Sequence, residues 1–300
     1  MQKSDFKKID PSFYPVYRSF AGTFSPESCE RSWANLLLYM HTYDWHAAVI
    51  NDNLWIASFR ENYIFFPLGR MIEPAVLSTV LKEFCNLCGT GECTLGDVPE
   101  KYLQFCAGAS ELMIFENDPG EADYIYDLQH LQSFSGSKLR KRHNQVRQFE
   151  REYIDNWSCR NICSADLPEI CRFAERLSCS YWTADSGAEE KLAFELLPDI
   201  WQMPEAGLAG IALYVGNVLA GFSIYSALSD SVADIHFEKA DHLFCGCGAK
   251  LTALAVEDLL QKNFKFMNRE QDLNDEGLRR AKRALDPAYL YCRLSAKLAK

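Results

Sequence analysis

One succession of signals runs along the chain twice: a helix, a three-strand meander, then helix, strand, helix and strand. A chain that repeats such a unit must bury the apolar faces of each copy within two similar α/β bodies. In the first copy, Ser25 and Pro26 read as an N-cap and first turn. Trp33, Leu36, Leu37 and Met40 follow at helical spacing, predicting a helix over 26–41. Three β-like runs come next, "WHAAVI", "LWIASF" and "YIFFPLG", parted by "NDN" and "REN", whose Asn and Asp suit tight turns. A helix over 73–87, a strand at "CTLG", a helix over 98–107 and a strand at "ELMIF" complete it. In the second copy, helices over 166–178 and 188–200 precede "GIALYV", a Gly216-Asn217 turn, "VLAGFSIYSAL" and "SVADIHFEKA". A helix over 247–262, a strand "FKFMN", a helix over 275–285 and a last strand "AYLYCRL" close it.

The duplication predicts an α+β (mixed α/β) chain of two tandem domains, each a mostly antiparallel mixed sheet flanked by helices. The expected boundaries are 1–134, a connecting basic helix over 135–155, and 156–300, with the active site in the last. The pattern resembles the GNAT acyltransferase fold, and two copies in tandem resemble the aminoacyl-tRNA-dependent transferases, although a fold does not fix a function. With 48% apolar residues, the 300-residue chain has ample material for such a core. No run approaches the roughly 18 apolar residues of a membrane span, and "MQKSDFKKIDPSFYP" has no signal-peptide core, so a cytoplasmic protein is expected. Its twelve cysteines then read as reduced thiols. Cys85 and Cys88 in "CNLCGTGEC" have metal-ligand spacing, with Cys93 and Cys106 following. Cys85, however, closes an apolar helix and no His lies nearby, so buried thiols and no metal are expected.

A net charge of -10 argues against wholesale coating of a polyanion, so any polyanion must be met locally. The stretch "SGSKLRKRHNQVRQFERE", residues 135–152, sets six Lys or Arg against two carboxylates. As a helix over 138–153 it gathers Leu139, Val146, Phe149 and Tyr153 on one packing face. Arg140, Arg147 and Arg151 fall on another side beside Asn144, either as a ridge for phosphates or carboxylates or as a solvated face, with Lys138 and Lys141 flanking. Arg142 has an angle inside the apolar face. It should be partly buried, and then needs an internal carboxylate or a bound anion.

The second polar concentration is "FKFMNREQDLNDEGLRRAKRALDP", residues 264–287. Alternation sets Phe264 and Phe266 on one side of a strand, and the same parity continues into Asn268, Glu270 and Asp272 if the chain stays extended. Carboxylates would then follow aromatics at a strand end, where ligands of α/β sheets commonly bind. Glu270 and Asp272 could pair with Arg142 or Arg279, bind a substrate amine, or act as general bases. Leu278, Ala281 and Leu285 define the next helix face, and Arg279, Arg280, Lys282 and Arg283 supply cations.

"DYIYDLQHLQSFSGSKLRKRHNQVRQFE" and, far downstream, "MNREQDLNDEGLRRAKRALDP" together resemble the DUF2156 family, related to the C-terminal domain of phosphatidylglycerol lysyltransferase. The resemblance spans nearly the whole chain and rests on Gly136, Lys138, Lys141, Arg142, Asn144 and Phe149, then on Asn268, Glu270, Gln271, Asp272, Gly277, Leu278, Arg279, Lys282 and Pro287. It implies a tandem GNAT fold and transfer of an aminoacyl group from charged tRNA to an acceptor. In that scheme Lys138, Lys141, Arg142, Asn144, Asn268, Arg279 and Lys282 bind substrate, and Glu270 and Asp272 hold a cationic group or act in catalysis. Lipid-modifying members carry a large membrane portion that this chain lacks, so the acceptor is left open.

"FEKADHLFCGCGAKL" leads from the third meander strand into a helix, with Gly246 and Gly248 at its start. Their N–H groups could cradle a pyrophosphate, as at the acyl-CoA site of GNAT enzymes, or serve a close-packed turn; Leu243 stands where those enzymes carry Gln or Arg. His236 and Glu238 share one strand face, where a base for an amine could sit, or they point to water at a strand edge. Three functions follow: an aminoacyl-tRNA-dependent transferase with no tightly bound cofactor, an acyl-CoA N-acyltransferase, or a non-catalytic module binding an anion or peptide.

Overall fold

The structure, a computed structural model, describes residues 1–20, 28–105, 108–178 and 184–299; Ser25, Pro26 and Cys106 lie outside them. The chain divides into two compact units, Met1–Ala122 with Tyr291–Lys300, and Asp123–Leu290.

The first unit is built on an eight-stranded sheet in the order Lys7–Lys8, Trp45–Ile50, Asn53–Ser58, Tyr63–Phe65, Thr94–Pro99, Arg293–Leu298, Met113–Glu116, with Leu68–Gly69 also paired to Asn53–Ser58. The meander turns where expected, through Asn51, Asp52 and Asn62, all with positive φ, a conformation short polar side chains tolerate. Tyr63–Phe65 and Thr94–Pro99 are parallel, as the intervening helix Pro74–Cys88 requires. That helix starts on a proline, stops at Gly89 with φ 69°, and buries Leu77, Val80, Leu81 and Phe84 against Trp55, Ile64 and Leu95. Cys85 and Cys93 are buried in the same apolar cluster, where desolvation pushes the Cys93 thiol well above its ordinary range. The described part of the first expected helix is a 3-10 turn at Cys29–Arg31, a helix Trp33–Leu38, capped by Ser32 Oγ accepting from Asn35 N–H, and the start of a short helix Met40–Tyr43.

The second unit comprises β1 (Asp123–Asp127), α1 (Arg140–Glu152), β2 (Trp157–Asn161), α2 (Leu167–Ser178), α3 (Ala184–Trp201), β3 (Ala209–Val215), β4 (Val218–Ala227), β5 (Val232–Ala240), α4 (Cys247–Gln261), β6 (Phe266–Asn268), α5 (Glu276–Arg283) and β7 (Tyr289–Tyr291). Its sheet runs β7-β1-β6-β5-β4-β3-β2, and β5 and β6 are parallel among antiparallel neighbours. On one face, Leu251 and Ala255 of α4 and Phe149 of α1 pack with Ile211, Leu213 and Ala220. On the other, the rings of Phe173 (α2) and Phe194 (α3) meet Phe222, and Phe194 also meets Phe237. Among the described residues no helix is long and apolar enough to cross a membrane.

Two mostly antiparallel mixed sheets flanked by helices are thus the architecture, as the GNAT-like reading expects. The division of the chain differs from the expected 1–134, 135–155 and 156–300. "DYIYD" belongs to the second sheet because Tyr124 and Tyr126 pack with Ile235, Val256 and Met267. The basic helix is no connector: Leu139, Val146 and Phe149 tie it to the second core. "AYLYCRL" is two strands broken at Cys292, and the second, Arg293–Leu298, lies in the first unit's sheet between Thr94–Pro99 and Met113–Glu116. Alternation states that a segment is a strand but not which sheet receives it.

Candidate functional site

The parallel strands β5 and β6 stay paired only through Val232↔Phe266, Ala233↔Met267 and Asp234↔Asn268, and then part. Beyond this point lie His236 and Glu238 on one strand and Arg269, Glu270 and Asp272 on the other chain segment, so the two polar concentrations of the sequence meet at one strand end.

His236 and Glu238 do not share a face. Ile224 pairs with Phe237 but Tyr225 pairs with Ile235, so His236 is the extra residue of a β-bulge. Glu238 is turned toward α4: its Oε1 accepts from Thr252 Oγ1 at 2.9 Å and from Arg269 Nη2 at 2.8 Å. His236 is instead placed with Ser226, whose Oγ is 2.9 Å from Nε2, and with Asp234 and Glu270. Nor does either point to water at an edge, since β5 is interior to the sheet and His236 is buried. The adjacent residues Arg269 and Glu270 accordingly reach two different partners, Glu238 and His236.

Among the described residues, the buried atoms Glu238 Oε2, Glu270 Oε1 and His236 Nδ1 in this gap have no hydrogen-bond partner. Groups so placed are costly unless something binds them, which marks this gap as the candidate site. Arg142 completes the α4 side. It is half-buried as its helical angle predicts, but among the described residues no ion pair joins it to a carboxylate. Burial pushes its pKa below the ordinary guanidinium value, and the nearby Arg269 adds to that, against the pull of Glu238 and Tyr126.

Other expected contacts are committed within the protein. Glu270, Leu273 and Asn274 have positive φ, so the chain does not stay extended past Asn268 and the parity argument stops there. Asp272 turns inward, fully buried, and receives the Arg279 fork at 2.8 Å twice, Tyr124 O–H at 2.7 Å and Asn274 N–H at 2.9 Å. Burial acts to raise its pKa, but these donors outweigh it and hold the carboxyl below the usual range. Asp272 and Arg279 are therefore a structural pair. Lys282, expected on a cationic surface, is buried and donates to the carbonyls of Arg269, Glu270 and Gln271, fixing the loop that carries the site. Asn268 Nδ2 donates to Asp123 at 2.8 Å while its Oδ1 accepts from Glu270 N–H at 2.7 Å, so it shapes the same loop. Ala281 is exposed, and Lys282 takes its expected place beside Leu285 on the inner face.

Gly246 is a packing glycine. It has φ 76°, and a Cβ there would lie 2.3 Å from the Gln145 carbonyl of α1. Gly248 lies within α4, where a Cβ would make ordinary contact with Ala240. Lys138 pairs with Asp286 at 2.7 Å on the surface. Lys141 and Asn144 are exposed, and Asn144, Arg147, Gln148 and Arg151 line an open surface depression. The contacts that sequence reasoning missed are Thr252, Arg269 and Ser226. Arg269 stood within the quoted motif, but nothing local marks Ser226 or Thr252 as polar partners across a sheet.

The profile of the family "Phosphatidylglycerol lysyltransferase, C-terminal" matches residues 22–293. No functionally curated protein matches the chain. Among solved structures, a conserved protein of unknown function from Bacteroides thetaiotaomicron VPI-5482 is 24% identical with TM-score 0.88, covering 100% of both chains. L-PGS from Bacillus licheniformis is 11% identical with TM-score 0.65, covering 97% of this chain and 92% of its own. FemX is 8% identical with TM-score 0.59, covering 97% and 96%. At such identities the structures speak for the fold, while the profile spans both polar motifs that form the gap between β5 and β6. The chain belongs to the phosphatidylglycerol lysyltransferase C-terminal family.

Proposed function

We propose that this protein transfers an aminoacyl group from a charged tRNA to an amine or hydroxyl acceptor. The observation that carries the reading is the Glu238 carboxylate, pinned through Oε1 by Arg269 and Thr252, with Oε2 buried and without a hydrogen-bond donor among the described residues. In direct transfer the acceptor's nitrogen or oxygen attacks the ester carbonyl, loses a proton as the new bond forms, and the tRNA ribose oxygen leaves and takes up a proton. A base held by one oxygen with the other unpartnered suits the first proton transfer. Arg142, half-buried near it and in no ion pair among the described residues, suits an anionic part of the donor. The exposed Arg147 and Arg151 side of α1 suits further phosphates. Family membership supports the donor class, and the acceptor is the part to be found by assay.

The test follows label from tRNA charged with lysine, then with other amino acids, into phosphatidylglycerol vesicles and into free amines. Wild-type protein should move label, and Glu238→Gln should keep tRNA binding but lose about 10²–10⁴-fold in transfer rate. Affinity for tRNA should fall steeply with salt, and Arg147→Ala with Arg151→Ala should flatten that slope. Absence of tRNA binding, with saturable binding of acetyl-CoA, would replace this reading by an acyl-CoA-dependent one. Binding without turnover for every donor would leave a non-catalytic module.

A further inference from the structure

The other side of the gap carries a group that base catalysis by Glu238 does not use. Asp234, His236 and Glu270 each bring one ligand-type atom into a cluster whose members all lie within 4.8 Å of one another. His236 Nδ1 is 3.4 Å from Glu270 Oε1 and 3.7 Å from Asp234 Oδ2. These separations exceed the 2.7–3.2 Å of an ordinary N–H···O hydrogen bond. Two ligand atoms each about 2.1 Å from a common ion stand roughly 3.0–3.5 Å apart; the Glu270 separation lies in that range and the 3.7 Å to Asp234 slightly exceeds it.

A second observation is independent of the acidity. The His236 side chain is 1% exposed, and its Nδ1, aimed into the cluster, has no hydrogen-bond partner; neither does Glu270 Oε1. The other ring nitrogen is held by Ser226 Oγ. With the ring proton on that side, the Nδ1 lone pair is left for a cation shared with the neighbouring carboxylates. Metal-binding imidazoles are held in this way, one nitrogen ligating and the other fixed by a neighbour. The bulge that separates His236 from Glu238 is what aims it here.

We propose that Asp234, His236 and Glu270 form a binding site for one divalent transition-metal ion. One imidazole and two carboxylates form a mixed nitrogen and oxygen set that suits Zn²⁺ or Mn²⁺ better than Ca²⁺ or Mg²⁺. Glu270, 21% exposed, is the least buried of the three side chains.

Because the chain holds many thiols that take Zn²⁺, the deciding probe is Mn²⁺, which prefers oxygen and nitrogen donors. Chelator-stripped protein is titrated with Mn²⁺ by electron paramagnetic resonance, with circular dichroism confirming the fold of each sample. One Mn²⁺ should bind per chain, and both His236→Gln and the more exposed Glu270→Gln should weaken it at least tenfold while remaining folded. Zn²⁺ should displace the bound Mn²⁺. Failure of folded wild-type protein to bind Mn²⁺ saturably, or binding that Glu270→Gln leaves unchanged, would overturn the proposal. No aminoacyl donor enters this titration, so its outcome is independent of the transfer reading.

Discussion

Each unit holds a parallel strand pair joined through a helix, and the two pairs treat their buried polar groups in different ways. In the first unit, buried Asp97 on Thr94–Pro99 is gripped by the Arg31 guanidinium and by Ser28 Oγ at 2.8 Å, and Arg293 binds Ser28 Oγ and Glu30. At Gly96 there is no room even for a methyl group, because the Tyr63 ring fills the place. In the second unit, the parting of β5 and β6 leaves Glu238 Oε2, Glu270 Oε1 and His236 Nδ1 without donors. A closed network serves stability, and unmet buried acceptors at a strand end serve binding. This contrast is what supports our proposal of a site in the second unit.

The sharpest break of this contrast is functional: Glu238→Gln should cost about 10²–10⁴-fold in transfer while the protein stays folded, losing about 1–3 kcal/mol with the charge that holds Arg269, as measured on one protein sample by label transfer and urea titration. Its mirror in the closed unit is Arg31→Ala, which strands buried Asp97 and should destabilise that unit by about 3–5 kcal/mol in urea without abolishing tRNA binding. Gly246→Ala forces a methyl group against the Gln145 carbonyl at a positive φ, and should cost about 1–3 kcal/mol by the same titration.

Acid provides a milder probe. The pKa of Asp272 is depressed in the folded state, so its stabilisation is present above the unfolded value of about 3.9 and is lost as pH falls through the lower folded value. The urea midpoint should therefore drop below about pH 4, and Asp272→Asn should flatten that drop. Smallest is Lys138→Ala, which breaks an exposed pair with Asp286 and should shift stability by about 0–1 kcal/mol.

Much of this was legible from periodicity. The meanders, their Asn and Asp turns, and the half-burial of Arg142 all follow from angles and turn chemistry. The convergence of 236–238 with 268–272 was legible as two motifs but not as one place, since only pairing of β5 with β6 brings them together. The bulge at His236 has no local signature: "VADIHFEKA" alternates through it without a glycine. Lys282 shows the converse failure, because a long cationic side chain on a helix reads as solvated, and only three converging loop carbonyls make its burial favourable. Strand Trp157–Asn161 escaped for a similar reason, being a mostly polar segment at the sheet edge.

The placement of Arg293–Leu298 between Thr94–Pro99 and Met113–Glu116 bears on the order in which the protein takes shape during synthesis. The second unit is one continuous stretch and can fold once residue 290 has left the ribosome. The first unit, although its residues are made earlier, lacks an interior strand until residue 298 follows. Its strand Met113–Glu116 has to wait, edge unpaired, through the translation of more than half the chain, which makes the earlier-made half the one most dependent on protection from misassembly.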